Sequence, residues 1–297
     1  MSLMNRRCPR QPATPALVCL VWIATALGSP LSSQETPGPI ERAVTLWEQR
    51  AEGADGARAD PARARQLVAA WEEAVASRPR DLELQWKLLR ALHFQGDYGL
   101  AAGDSELQHY ENARAVADAA RERLAGRIGR PLADLDPAEI AAALQDIPEA
   151  APIYLFSAVH WGRWGETTGK MRAARQGVAG KLRSFAEVVV LLDERFDGGG
   201  GRRFLGRLHT EAPRIPLVTG WIDRQQAVRE LERAVELAPD DRYNRLFLAD
   251  ALLRFEDDRR DEALRLLSEI VSQEPRAHRL VEDRAAADDA RDLLAAD

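Results

Sequence analysis

The stretch Ala-Val-Glu-Leu-Ala-Pro-Asp at residues 234–240 decides the fold class of this 297-residue chain. Ala227 and Leu231 precede it at helical spacing, and the proline stops the helix that they define. A second apolar helical stripe follows after the turn. Its residues are Leu248, Ala249, Leu252, Ala263 and Leu267, and it ends at Pro275. The pattern predicts antiparallel helices joined by short turns.

The same pattern occurs earlier in the chain, so the hairpin is a repeat. Its members there are Leu67, Trp71, Ala74, Pro79, Leu88, Leu92, Gly96-Asp97-Tyr98 and Ala101. Both blocks follow the 34-residue tetratricopeptide pattern, in which small residues let paired helices approach and large ones fill the gap. Pro239 and Pro275 are 36 residues apart because the turn at 256–260 is long. Any array of helical hairpins would show similar periodicity, but the matching offsets favour the tetratricopeptide interpretation.

Helical periodicity continues through most of the remaining chain. Apolar stripes run over residues 64–76 and 181–196, and Asp136-Pro137 is typical of a helix start. The one β-like run, residues 188–192, lies inside the second stripe. We therefore predict an all-α, tetratricopeptide-like helical-hairpin solenoid with an irregular helical insert. The expected divisions are a signal peptide (1–28), a linker (29–38), N-terminal repeats (39–145), the insert (146–222) and C-terminal repeats (223–297).

Composition excludes several classes of protein. With 45% hydrophobic and 30% charged residues, the chain is neither a disordered tail nor a polytopic membrane protein. Its net charge of −6 argues against nucleic acid as a partner, because phosphate binding needs a cationic face.

The N-terminus predicts export. Arg6, Arg7 and Arg10 precede an apolar run at 16–27, and small residues near Gly28 offer a cleavage site. Twelve apolar residues are too few to span about 30 Å of hydrocarbon, which favours a Sec-type signal over a retained anchor. Cleavage would remove three arginines, no acidic residue and both cysteines, so the net charge would fall from −6 to −9. No lipobox surrounds Cys19, and we expect a periplasmic protein.

The insert carries unusual aromatic and glycine content. An aromatic helix runs from Tyr154 to Trp164, a glycine turn at 198–201 leads into Arg203-Phe204-Leu205-Gly206, and Pro213 precedes a loop. Together with residues 227–239 and 244–249, this region resembles the T component (TatT) of tripartite ATP-independent periplasmic (TRAP) transporters. The resemblance covers about residues 40–295. It departs at Gly200-Gly201, where a glycine–proline turn is expected, and in the missing lipobox.

The resemblance implies a periplasmic accessory protein and a homo-oligomer. It also implies docking of a solute-binding protein and passage of an apolar or organic-acid ligand through a cavity. A general exported scaffold for envelope protein assembly, which would hold a peptide segment, is the alternative.

Aromatic residues next to a glycine turn and two arginines suit an apolar cavity with a cationic rim, which would take an amphiphilic carboxylate. The tryptophans could instead be core residues, and the arginines could instead form ion pairs. The predicted ligand-binding residues are Tyr154, Trp161, Trp164, Arg202, Arg203 and Phe204.

Catalytic signatures are weak. None of the five histidines forms a His-x-x-x-His or His-Glu-x-x-His pair, and there is no Gly-x-Ser-x-Gly motif. The glycines at 198–201 lack the Gly-Lys-Ser/Thr ending of a phosphate-binding loop. We therefore expect no enzymatic activity, no metal and no cofactor, and rank a histidine–carboxylate hydrolase lowest.

Overall fold

Aspartate caps set the starts of several helices. Asp60 accepts a hydrogen bond from the backbone N–H of Arg63 just before a helix that begins at Pro61. Asp136 and Glu139 form a reciprocal capping box, which confirms the helix start expected at Asp136-Pro137.

The computed structural model describes residues 37–214 and 219–296, and these are helical without β-strands. The predicted signal peptide (1–28) and nearly all of the linker lie outside this range. No described helix has the length and apolar character needed to cross a membrane. The α-helices are α1 Pro39–Glu48, α2 Pro61–Ser77, α3 Leu82–Tyr98, α4 Glu106–Ile128, α5 Pro137–Leu144, α6 Ala150–Thr168, α7 Lys170–Arg175, α8 Val178–Asp193, α9 Gly200–Glu211, α10 Arg224–Leu237, α11 Arg242–Phe255, α12 Arg260–Ser272 and α13 Leu280–Ala296.

The predicted stripes become the buried faces of helix hairpins. In α2, Leu67, Trp71 and Ala74 are all at most 1% exposed, and they pack toward α3 across a four-residue turn. The pair α10–α11 repeats this arrangement, and the β-like run at 188–192 lies inside α8. The expected all-α, helical-hairpin architecture is thereby confirmed.

Two apolar clusters form the core. One spans α1 to α9, and the other joins α10 to α13. Helices α9 and α10 cross closely between them, because position 206 has no side chain. A methyl group on Gly206 would lie 2.4 Å from Cγ of Leu231.

Only the first two glycines of the run at 198–201 form a turn. Gly198 and Gly199 have φ of 64° and 82°, in the left-handed region that glycine tolerates. Gly200 and Gly201 instead begin α9 and are buried. A methyl group on Gly200 would lie 2.8 Å from Leu155 Cδ2, so this position serves close packing.

Side chains from the first third of the chain meet side chains from its second half, so the array of helices closes on itself. We use the term inner face for these two meeting surfaces together. Its N-terminal side is Trp47, Arg50, Trp86, Arg90 and Tyr98, and its C-terminal side is Phe196, Tyr243 and Glu282. Three contacts cross it: Arg50 Nη2 to Glu282 Oε1 at 2.9 Å, Tyr98 Oη to Tyr243 Oη at 3.0 Å, and the Trp86 and Phe196 rings at 6.5 Å between centroids.

Candidate functional site

The predicted aromatic residues of α6 are core residues by burial. Tyr154, Trp161 and Trp164 are 2%, 3% and 1% exposed, on a helix packed between α4 and α8. The rings of Trp161 and Trp164 meet edge to face at 5.7 Å, and Tyr154 meets Phe185 at the same distance. Such contacts are typical of aromatic packing in a core.

Cations cover the faces of these tryptophans. The guanidinium carbon of Arg114 lies 4.5 Å from the Trp161 centroid and 4.4 Å from that of Trp164. Lys181 Nζ lies 3.9 Å from Trp161, whose Nε1 donates to Asp118 Oδ1 at 2.7 Å. A ligand that contacts these ring faces would have to displace side chains of the protein. The packing favours the core interpretation, and a ligand-binding role for these tryptophans stays a prediction.

Arg202 and Arg203, predicted to form a cationic rim, contact other protein side chains. Arg202 donates to Glu194 Oε1 and Glu230 Oε2, both at 2.9 Å. Arg203 pairs with Asp197 and donates to Asn244 Oδ1 at 3.0 Å. These partners lie around α9, α10 and α11, whereas the tryptophans contact α4 and α8.

Phe204 is half-buried against the first core cluster. A methyl group on Gly162 of α6 would lie 3.5 Å from Phe204 Cζ, so this ring adjoins the aromatic helix. Both arginines already meet protein groups, and a shared ligand site stays a prediction. Ion pairing was the competing interpretation of these arginines.

A pocket of about 390 Å³ does lie in the insert, where the helices α8, α9 and α10 meet. Trp221 lines it, with the His209 ring edge-on at 5.5 Å and the Arg183 guanidinium 4.9 Å from its centroid. His209 Nδ1 accepts the backbone N–H of Asp223 at 3.1 Å, which leaves Nε2 as the donor. Burial lowers the pKa of His209, so its ring is neutral at pH 7. The lining also includes the charged residues Arg183, Glu187, Asp223 and Glu230, so the pocket is polar and carries both signs of charge.

The sequence offered only a weak signal for this pocket. Trp221 stood out as one of three tryptophans in the insert, but His209 has no partner at a recognisable spacing. The contacts that define the pocket come from separate helices.

An ionic cluster beside the inner face ties three helices together. Asp97 of α3 accepts from Tyr110 Oη of α4 at 2.5 Å and pairs with Arg163 of α6. Burial alone would raise the pKa of Asp97, but His93 and Arg163 together hold it well below its usual range. Burial and Asp97 raise the pKa of Tyr110, so its hydroxyl remains a donor. His93 Nδ1 lies 3.5 Å from Asp97 Oδ1 without a hydrogen bond, but Asp97 itself is paired with Tyr110 and Arg163, which suits a structural clamp.

No group of three or more metal-ligating side chains is found within residues 37–214 and 219–296. Comparison with known proteins adds no assignment: no family model matches the chain, and no curated protein matches it significantly.

Proposed function

We propose that this protein is a non-catalytic periplasmic accessory protein of a TRAP-type transport system. It docks a solute-binding protein and holds an apolar or organic-acid ligand. One structural observation carries the proposal: the helical hairpins close on themselves, so that an aromatic and charged inner face is formed by side chains from both ends of the chain.

The architecture supports binding because of how hairpin arrays use their surfaces. Each helix packs its apolar stripe against its neighbours, which leaves the helix edges and the half-buried rings of the inner face for other molecules. Trp47 and Trp86 are only half-buried there, and Arg50 and Arg90 lie beside them. Half-buried rings with nearby guanidinium groups suit a ligand that has an apolar body and a carboxylate head.

A basic segment supports the docking of a protein partner. Residues 167–186 contain two lysines, three arginines and no acidic residue, in a chain of net charge −6. Arg172 and Arg175 are exposed on the short helix α7, although Arg172 also reaches Glu111 at 3.0 Å. Complementary charge raises the rate and selectivity of protein association. We assign the solute-binding protein to this surface.

The test is capture of partners from a periplasmic extract with immobilised residues 29–297, followed by mass spectrometry. We expect a TRAP-type solute-binding receptor to be enriched. The double variant Arg172→Glu/Arg175→Glu is expected to lose at least about tenfold of that enrichment, since two attractive contacts become repulsive. The matched control is Arg78→Glu/Arg80→Glu, which reverses two charges, two residues apart, in the turn between α2 and α3.

Two outcomes would contradict the proposal. If the receptor is absent from the captured proteins, the transport role fails. If another envelope protein is captured instead, and the reversal on α7 releases it, the general scaffold function replaces the proposal. Equal loss in both double variants would refute the docking surface alone.

A further inference from the structure

Arg90 lies on the inner face between two tryptophan rings. Its guanidinium carbon is 3.7 Å from the centroid of Trp47 in α1 and 4.9 Å from that of Trp86. Trp86 and Arg90 are four residues apart in α3, so they share one face of that helix. The two rings hold the guanidinium plane in a fixed place.

This guanidinium has no anionic partner. Within the described residues, no carboxylate lies within 4.0 Å of Arg90, its side chain donates no hydrogen bond, and its Nε is buried without an acceptor. Its neighbours differ: Arg50 pairs with Glu282, and Arg203 pairs with Asp197. A partly buried guanidinium without an anionic partner is unfavourable, so the site favours an anion from outside.

The electrostatic environment of Arg90 also favours binding of an anion. Burial and the nearby Arg50 lower the pKa of Arg90 to about 10, and the more distant Asp197 and Glu282 oppose this only in part. An anion placed against the guanidinium would offset both its loss of hydration and its repulsion by Arg50. Because Asp197 and Glu282 add negative charge nearby, a monoanion fits better than a doubly charged phosphate.

The surroundings define the rest of the ligand. Phe196 meets the Trp86 ring edge to face at 6.5 Å, and both rings are half-buried. They offer apolar area on the same inner face as the unpaired donor. A guanidinium binds a carboxylate through two parallel hydrogen bonds, which no neutral amide can reproduce.

We propose that Trp47, Trp86 and Arg90 form the binding site for an organic acid, with its carboxylate on Arg90 and its apolar part against Trp86 and Phe196. The site specifies the ligand class of the proposed accessory protein, and its biological meaning rests on that function. It is separate from the predicted site on α6 and α9.

The experiment is calorimetric titration of the mature chain with phenylacetate at pH 7, with phenylacetamide as the neutral isostere. We expect saturable binding of phenylacetate, and binding at least about tenfold weaker for the amide and for Arg90→Gln. Inorganic phosphate should not compete. The matched control is Arg114→Gln, since Arg114 also stacks on two tryptophans without an ion pair, but over rings that are buried. Its affinity should stay within about twofold of the original chain.

Three results would overturn the site. They are no saturable binding by the original chain, equal binding by Arg90→Gln, and equal loss in the Arg114→Gln control. If Arg90→Gln melts early, Arg90→Lys serves instead: it keeps the charge but loses the paired hydrogen bonds, so phenylacetate affinity should still fall. Receptor capture separates the two proposals. If the original chain captures the receptor but binds no phenylacetate, this site is refuted and the proposed function still stands.

Discussion

Acid should weaken this fold through its buried histidines, and most strongly through His160. The side chain is fully buried in α6, and its Nε2 donates to the carbonyl oxygen of Leu89 at 2.9 Å. Nδ1 is buried without a partner, so a second proton would have no acceptor. Burial, and then the neighbouring His93, lower the pKa of His160 to about 3.

The size of the effect follows from proton linkage. An unfolded histidine has a pKa of about 6.5, so the unfolded chain takes up a proton that the folded chain refuses. The stabilisation by neutral His160 is complete above pH 6.5 and is lost as the pH falls toward 3. His160 alone should lower the free energy of unfolding by about 2 kcal/mol at pH 5 and about 3 kcal/mol at pH 4, relative to pH 8.

The assay is urea unfolding of the original chain and His160→Gln at pH 8, 6, 5 and 4.5. A glutamine amide can still donate to Leu89 but does not titrate, so the variant should lose about 2 kcal/mol less than the original chain between pH 8 and 5. The titration of Asp97 does not affect this comparison. Because its pKa is lowered in the fold, its effect on the free energy of unfolding is confined to below about pH 4.

The exposed His278 supplies the control, and His278→Gln should follow the original chain. Parallel pH profiles for His160→Gln and the original chain would refute the reasoning.

Two further predictions concern packing. Gly206→Ala should cost about 1–3 kcal/mol of unfolding free energy in thermal melts, because its methyl group would collide with Leu231. Gly126→Ala, with open space around it in α4, should be neutral or stabilising by up to about 1 kcal/mol; equal losses at both glycines would contradict the close crossing of α9 and α10. Trp161→Ala and Trp71→Ala should each cost about 3–5 kcal/mol, since both side chains are buried. If folded Trp161→Ala loses phenylacetate binding while Trp71→Ala retains it, Trp161 is a ligand contact after all.

The sequence by itself determined the helices. Apolar spacing in 64–76 and 181–196, and acidic caps such as Asp60 and Asp136, act within one or two helical turns. Signals of that range can be read without knowing where the neighbouring helices lie. The hairpin pairing was equally predictable, because short turns leave adjacent helices little choice but to pack together.

Which side chains are buried and which are paired depends on how the helices pack together. Spacing placed Trp161 and Trp164 on one face of α6, but it could not show that α4 and α8 would bury that face. Nor could it show which arginines would find carboxylates. The partner of Arg50 lies 232 residues away, while Arg90, only 40 residues after Arg50, is left with tryptophan rings alone. Charge pairing and burial depend on distances between helices that are far apart in the chain. Local sequence does not specify those distances.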